Sequence, residues 1–142
     1  MRPTKRASGA LIVSKLTERV MFSIRAPHKT HRLTWGLWGG MLNQNETYEE
    51  GLYREVKEEM GILPVFLHTE LFDTYHSKDS QFIYNTFICV VEKEFAPWVG
   101  SENCGYCWLD LGIWPKPLHY GAKKTFLSRD AECRLRNIIK SI

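Results

Sequence analysis

Residues 40–62 constrain this chain more than any other stretch. They set Gly40, Glu46, Arg54, Glu55, Val56, Glu58, Glu59, Gly61 and Ile62 in the spacing G-x5-E-x7-R-E-U-x-E-E-x-G-U, where U is a bulky aliphatic residue. At ordinary residue frequencies, seven identities and two aliphatic matches coincide with a chance of roughly 10⁻¹⁰ per start position. The spacing is therefore a signal and not a by-product of composition. Residues 47–60 read as a helix, with strong helix formers through the second half and Gly61 as a natural stop.

On that helix the acids share a face. With Glu55 at zero, Glu58 falls near about −60° and Glu59 near about +40°. Leu52, Val56 and Met60 follow between about 60° and 140°, as a buried stripe beside them. The carboxylates thus stand at the edge of the core, where they are partly desolvated. Like charges at this spacing destabilise the helix by a few tenths of a kcal/mol per pair. Glutamates near a helix C-terminus also oppose the macrodipole. A helix that stacks acids there calls for a cation, and carboxylate oxygens suit Mg²⁺ or Mn²⁺. A glutamate cluster by itself more often marks a solvated face. Gly40, Glu46, Arg54 and Gly61 in register set that reading aside.

These residues make up a complete Nudix box, and the chain resembles the Nudix hydrolases. The resemblance implies an α/β/α sandwich around a mixed β-sheet, with the box as a loop-helix-loop. It also implies a metal cage drawn from Glu55, Glu58 and Glu59 with the Gly40 carbonyl. Arg54 and Glu46 would orient the loop and the acids through ion pairing. Outside the box, Glu102 precedes a predicted strand, where many family members carry a metal-binding or basic glutamate; Glu92 and Glu94 are its rivals. Either Glu55 or Glu102 would serve as catalytic base. Arg25 ends a predicted strand, at a place where the family often contacts a substrate phosphate. The chain departs from the family before the box, where Trp38 stands in place of a proline. Trp35 and Trp38 are the candidate base-stacking surfaces. Three positions apart on an extended chain, they face opposite sides, so one reaches the ligand at most and the other is core.

The remaining residues add fewer constraints. The chain has 142 residues, a length that suits one domain, 1–142, with a sizeable core. Residues 10–14 and 19–24 read as a strand pair, 26–32 as a loop, and 33–38 as a strand ending in a Gly39-Gly40 loop. Two long strands follow at 64–75 and 81–93, joined by a turn at 77–80, and another strand at 106–111. Residues 114–117 form a rigid turn, and 131–142 an amphipathic helix. Strands first, with helices in the middle and at the end, give a mixed α/β layer architecture.

The N-terminal apolar run, residues 10–13, is too short for a secretory signal, and no window reaches the length of a membrane span. The expected location is cytoplasmic, with Cys89, Cys104, Cys107 and Cys133 reduced. Cys104 and Cys107 have zinc half-site spacing. No second pair completes four ligands, so a turn entering a strand is expected there.

Net charge is +3, which suits an anionic ligand as well as an ordinary surface. The basic group Lys116, Lys123, Lys124 and Arg129 lacks interleaved aromatics and reads as solvated surface rather than an RNA site. The expected activity is divalent-metal-dependent hydrolysis of the pyrophosphate bond in a nucleoside diphosphate linked to another group X. The products are a nucleoside monophosphate and phosphorylated X. Competing classes are a non-catalytic nucleotide sensor and an RNA-cap or RNA-end pyrophosphohydrolase. The resemblance also makes a homodimer a frequent state.

Overall fold

A computed structural model describes residues 3–119 and 130–142. The described residues form a seven-stranded mixed sheet flanked by two helices. In chain order the strands are β1 (Lys5–Ser14), β2 (Arg19–Arg25), β3 (Trp35–Gly36), β4 (Trp38–Met41), β5 (His68–His76), β6 (Phe82–Val91) and β7 (Asn103–Asp110). The helices are α1 (Tyr48–Met60), between β4 and β5, and α2 (Ala131–Lys140).

β1 is the hub. It lies parallel to β6 along its whole length, and antiparallel to β2 and β4. Its residues alternate strictly between two cores, as a central strand covered on both faces must. Leu11 and Val13 join Val20, Phe22, Ile88 and Val90 beneath α2, which contributes Ala131, Leu135 and Ile139. Ala10 and Ile12 join Met21, Phe87 and Cys89 beneath α1, which contributes Leu52, Val56 and Met60. The result is the expected α/β/α sandwich around a mixed sheet.

Helix α1 begins at a reciprocal cap. The Thr47 hydroxyl accepts from the Glu50 N–H at 3.1 Å, and Glu50 Oε1 accepts from the Thr47 N–H at 3.0 Å. It ends at Gly61, with φ at 80°.

The strand boundaries differ from the sequence expectation in two instructive places. β1 begins at Lys5 instead of residue 10, because parallel pairing with β6 carries a stretch of polar and small residues that has no strand pattern of its own. The expected strand 33–38 is split in two, and Gly39 and Gly40 lie within β4, not in a loop beyond it. They pair with Gly9 and Ser8 of β1. Gly39 has φ at 136°, and a Cβ there would come within 2.1 Å of the Ser8 carbonyl oxygen, so only glycine lets the strands close. The expected turn at 114–117 leads back to β3: the Trp35 N–H donates to the Pro117 carbonyl and the His119 N–H to the Trp35 carbonyl.

Among the described residues, no helix is long and apolar enough to cross a membrane. Lys123, Lys124 and Arg129 lie outside the described residues.

Candidate active site

Helix α1 crosses one face of the sheet with its last two turns beside β4. The three box acids there form a gradient of burial. Glu59 is buried, Glu55 has 16% of its side chain exposed and Glu58 has 60%. This follows from the helical spacing: Glu59 is nearest the apolar stripe of Val56 and Met60, and Glu58 is farthest around.

Each acid has its own partners. Glu59 Oε1 accepts from the Gly39 N–H at 2.7 Å, and its Oε2 accepts from Asn103 Nδ2 at 2.6 Å. Burial still dominates these bonds and pushes the carboxyl up to about 7. Glu55 stands over Gly40, so closely that a Cβ on Gly40 would come within 2.7 Å of its carboxyl group. Burial also raises the Glu55 carboxyl, against the pull of Arg54.

Arg54 ties the loop to the helix. Its Nε and Nη2 fork onto Glu46 at 2.7 and 2.9 Å, and Nη2 also donates to the Met41 carbonyl at 3.0 Å. Its Nη1 reaches Glu55 at 3.0 Å and Glu58 at 3.2 Å. Glu46 Oε1 in turn accepts from the Asn43 N–H at 2.7 Å. Chiefly through the Arg54 bonds, the Glu46 carboxyl is held down at about 2. Arg54 and Glu46, expected to pair, make a two-point fork.

Glu102 comes from outside α1. It immediately precedes β7, whose register against β2 shifts at Arg25: Ile24 pairs with Gly105 and Arg25 with Asn103, leaving Cys104 as the extra residue. Such a bulge re-aims neighbouring side chains. Asn103 reaches Glu59, and Glu102 lies near enough to raise both Glu55 and Glu59 electrostatically. Glu102 also pairs with Lys29 at 3.5 Å. Its rival Glu94 is engaged elsewhere, by Arg19 at 3.1 Å and by the Thr17 hydroxyl.

A cavity of about 640 Å³ joins these groups. Glu55, Glu59, Gly39 and Gly40 line one end, with Glu102 and Asn103 beside them. Arg25 and Lys29 give the lining its positive charge, beside His119, whose burial holds its ring below the ordinary histidine pKa. The Arg25 guanidinium is steadied by an Nε bond to the Thr30 carbonyl at 2.8 Å. Tyr75, Phe82 and Tyr84, from the β5–β6 pair, give an aromatic wall.

The tryptophans take different places. Trp38 is fully buried under α1 with Leu52 and Val56, and its indole N–H has no partner among the described residues. It is core, which corrects the reading of Trp38 as a stacking surface. Trp35, on the separate strand β3, packs against the edge of the opposite core. The described cavity lining includes neither ring. Sequence reading missed Asn103, Lys29 and the aromatic wall. Only Asn103 carried a signal, its adjacency to Glu102.

Among the described residues, no three His, Cys, Asp or Glu side chains converge on one point as they stand. Arg54, Gly39 and Asn103 engage the carboxylate oxygens of the box. The donor chemistry nonetheless fits a hard divalent cation: oxygen ligands only, on clustered acids that raise one another's affinity for protons. The Cys104 thiol is exposed on the bulge, whereas Cys107 packs against the core beneath α2.

The family model of the NUDIX domain matches residues 3–129. No curated protein sequence matches the chain. Solved structures of the same fold include the Nudix hydrolase RenU of M. smegmatis, with 22% identity over 100% of this chain and 89% of that one, at a TM-score of 0.73. A MutT Nudix hydrolase from Burkholderia pseudomallei shares 22% identity over 91% of this chain and 99% of that one, at 0.69. The Nudix domain of Shewanella oneidensis NrtR, solved in complex with ADP ribose, shares 15% over 96% and 90%, also at 0.69. With the domain match spanning nearly all of its length and every acid of the box in place, the chain belongs to the Nudix family and carries the box of a Nudix pyrophosphohydrolase.

Proposed function

We propose that this chain hydrolyses the pyrophosphate bond of a nucleoside diphosphate linked to a second group X, in a reaction dependent on Mg²⁺ or Mn²⁺. One observation carries this reading: Glu55, Glu59 and Glu102 line the same cavity as Arg25 and Lys29. Acids alone would repel a diphosphate. Acids that hold a cation, faced by a basic wall, suit one.

Glu55, Glu58 and Glu59 would hold the metal, with the Gly40 carbonyl and Glu102 as further oxygen donors. When bound, the metal neutralises phosphate oxygens and lowers the pKa of water. The chain's own residues do the rest. Arg25 and Lys29 hold the non-reacting phosphate charge. Arg54 and Glu46 keep the acids in place. Glu102 or Glu55 takes the proton from the attacking water. The oxygen of that water bonds to one phosphorus as the bridging P–O bond breaks, leaving the monophosphate and phosphorylated X.

The ADP ribose seen with the Nudix domain of NrtR makes nucleotide sugars the first compounds to try. The test is a product-resolved screen with Mg²⁺ or Mn²⁺. It covers nucleotide sugars, dinucleoside polyphosphates, dinucleotide cofactors, nucleoside triphosphates and capped RNA. We expect monophosphate release from a small diphosphate derivative. Turnover of capped RNA alone, or no metal-dependent turnover at all, would overturn the reading.

A further inference from the structure

We propose that Tyr84 is a substrate-binding residue, whose hydroxyl donates a hydrogen bond to a phosphate oxygen of the diphosphate. This inference rests on the function proposed above and adds a residue that the box does not contain.

Tyr84 lies on β6 opposite Ala7 of the parallel strand β1. Its ring runs diagonally across β1 towards Gly9. The phenolic oxygen occupies the space where a side chain on Gly9 would begin: a Cβ there would be 1.9 Å from it. Gly9 in turn pairs with Gly39, whose N–H holds Glu59. Glycines on the two paired strands thus leave room for side chains on opposite faces of the sheet, Gly40 in register with Ser8 on the α1 face and Gly9 in line with Leu11 on the other. A Cβ on Gly40 would collide with Glu55, and one on Gly9 would collide with Tyr84. Tyr84 lines the same cavity as Glu55 and Glu59, close enough to Glu59 to feel its charge.

There, the hydroxyl has no hydrogen-bond partner among the described residues. The residue is half-buried and its ring lines the cavity. Burial, with the Glu59 carboxylate nearby, raises its pKa above the ordinary tyrosine value, so the group stays a neutral donor. With no partner among the described residues, the donor is open to a ligand that enters the cavity. Among the parts of a nucleoside diphosphate, the phosphate oxygens are the strongest acceptors. They are also the part that the acid and basic walls bring to this end. An uncharged donor can approach both phosphate and carboxylates without the repulsion that a glutamate would meet.

The experiment compares wild type with Tyr84→Phe, which keeps the ring and removes only the oxygen. Binding of ADP and of imidodiphosphate, a diphosphate with no sugar or base, is measured by calorimetry with Mg²⁺. Turnover is measured on the best substrate of the screen, and thermal unfolding on both proteins. We expect both ligands to bind roughly ten- to a hundred-fold more weakly to the variant, the range for a lost hydrogen bond to a charged group. KM should rise with kcat changed far less, and the melting temperature should hold or increase. Gly9→Ala, which displaces the hydroxyl, should weaken both ligands in the same direction. Equal affinities in wild type and Tyr84→Phe, with wild-type turnover intact, would overturn the Tyr84 assignment and leave the proposed function standing. A loss confined to ADP would move the contact to the sugar or base and also overturn it. A wild type that neither binds a diphosphate nor turns one over would overturn both.

Discussion

Arg54 forks onto Glu46 from eight residues away, Nε to Oε2 at 2.7 Å and Nη2 to Oε1 at 2.9 Å. The pair fastens the loop after β4 to the middle of α1, and its remaining donor reaches Glu55 and Glu58. A lysine at this position has one ammonium and no fork. Arg54→Lys should therefore lower kcat by roughly ten- to a hundred-fold, the scale of an ångström-sized misplacement of catalytic groups. KM should change less. Steady-state kinetics with Mg²⁺ checks this, and a variant with wild-type kcat would show that the fork does not position the acids.

The burial of Glu59 makes stability depend on pH. Its carboxyl titrates at about 7 in the fold, against 4.5 ordinarily. The folded state therefore holds this proton more tightly than the unfolded chain does. That contribution is fully present below about pH 4.5 and is lost as pH rises through about 7. Glu46, held at about 2, titrates below this window. Melting temperature in EDTA should fall between pH 4.5 and 7.5, and Glu59→Gln should flatten the slope. Mg²⁺ competes with the proton, so its affinity should rise across the same window. A wild-type profile parallel to that of Glu59→Gln would contradict the assignment.

Removing charge from the acids should abolish activity without unfolding the protein. Glu58→Gln and Glu59→Gln should each cut turnover by orders of magnitude, as loss of a metal ligand does. Glu58 is mostly exposed, so its variant should also keep wild-type stability. Unchanged activity in both would remove α1 as the catalytic centre.

Glu102 and Glu55 are separated as bases by their surroundings. Glu102 is exposed and paired with Lys29, whereas Glu55 is partly buried and gripped by Arg54. Glu102→Gln should lower kcat by roughly 10²–10⁴ with little effect on KM. A near-normal kcat would leave Glu55 as the base.

Trp38 makes the opposite prediction from a binding residue. Trp38→Ala should destabilise the protein by about 3–5 kcal/mol through the cavity it opens under α1. Denaturant titration checks this. A stable Trp38→Ala with a raised KM would return the ring to the ligand.

The sequence by itself determined the helix, its stop at Gly61, the shared face of Glu55, Glu58 and Glu59, and the family. All of these are local: capping, a repeat of about 3.6 residues per turn and fixed spacing act within a few turns of chain. It also suggested that Trp35 and Trp38 face opposite ways, but on one strand, whereas they lie on two, β3 and β4, paired with different neighbours. That both rings belong to cores and neither lines the described cavity was decided only when β4 docked on β1 beneath α1. The same holds for Asn103 and Tyr84. Asn103 lies 44 residues from the Glu59 carboxylate it holds, and Tyr84 lies 75 positions from Gly9, where its hydroxyl rests. No local pattern encodes such meetings. They arise from a parallel strand pairing and a bulge, whose registers are set by packing the two cores together.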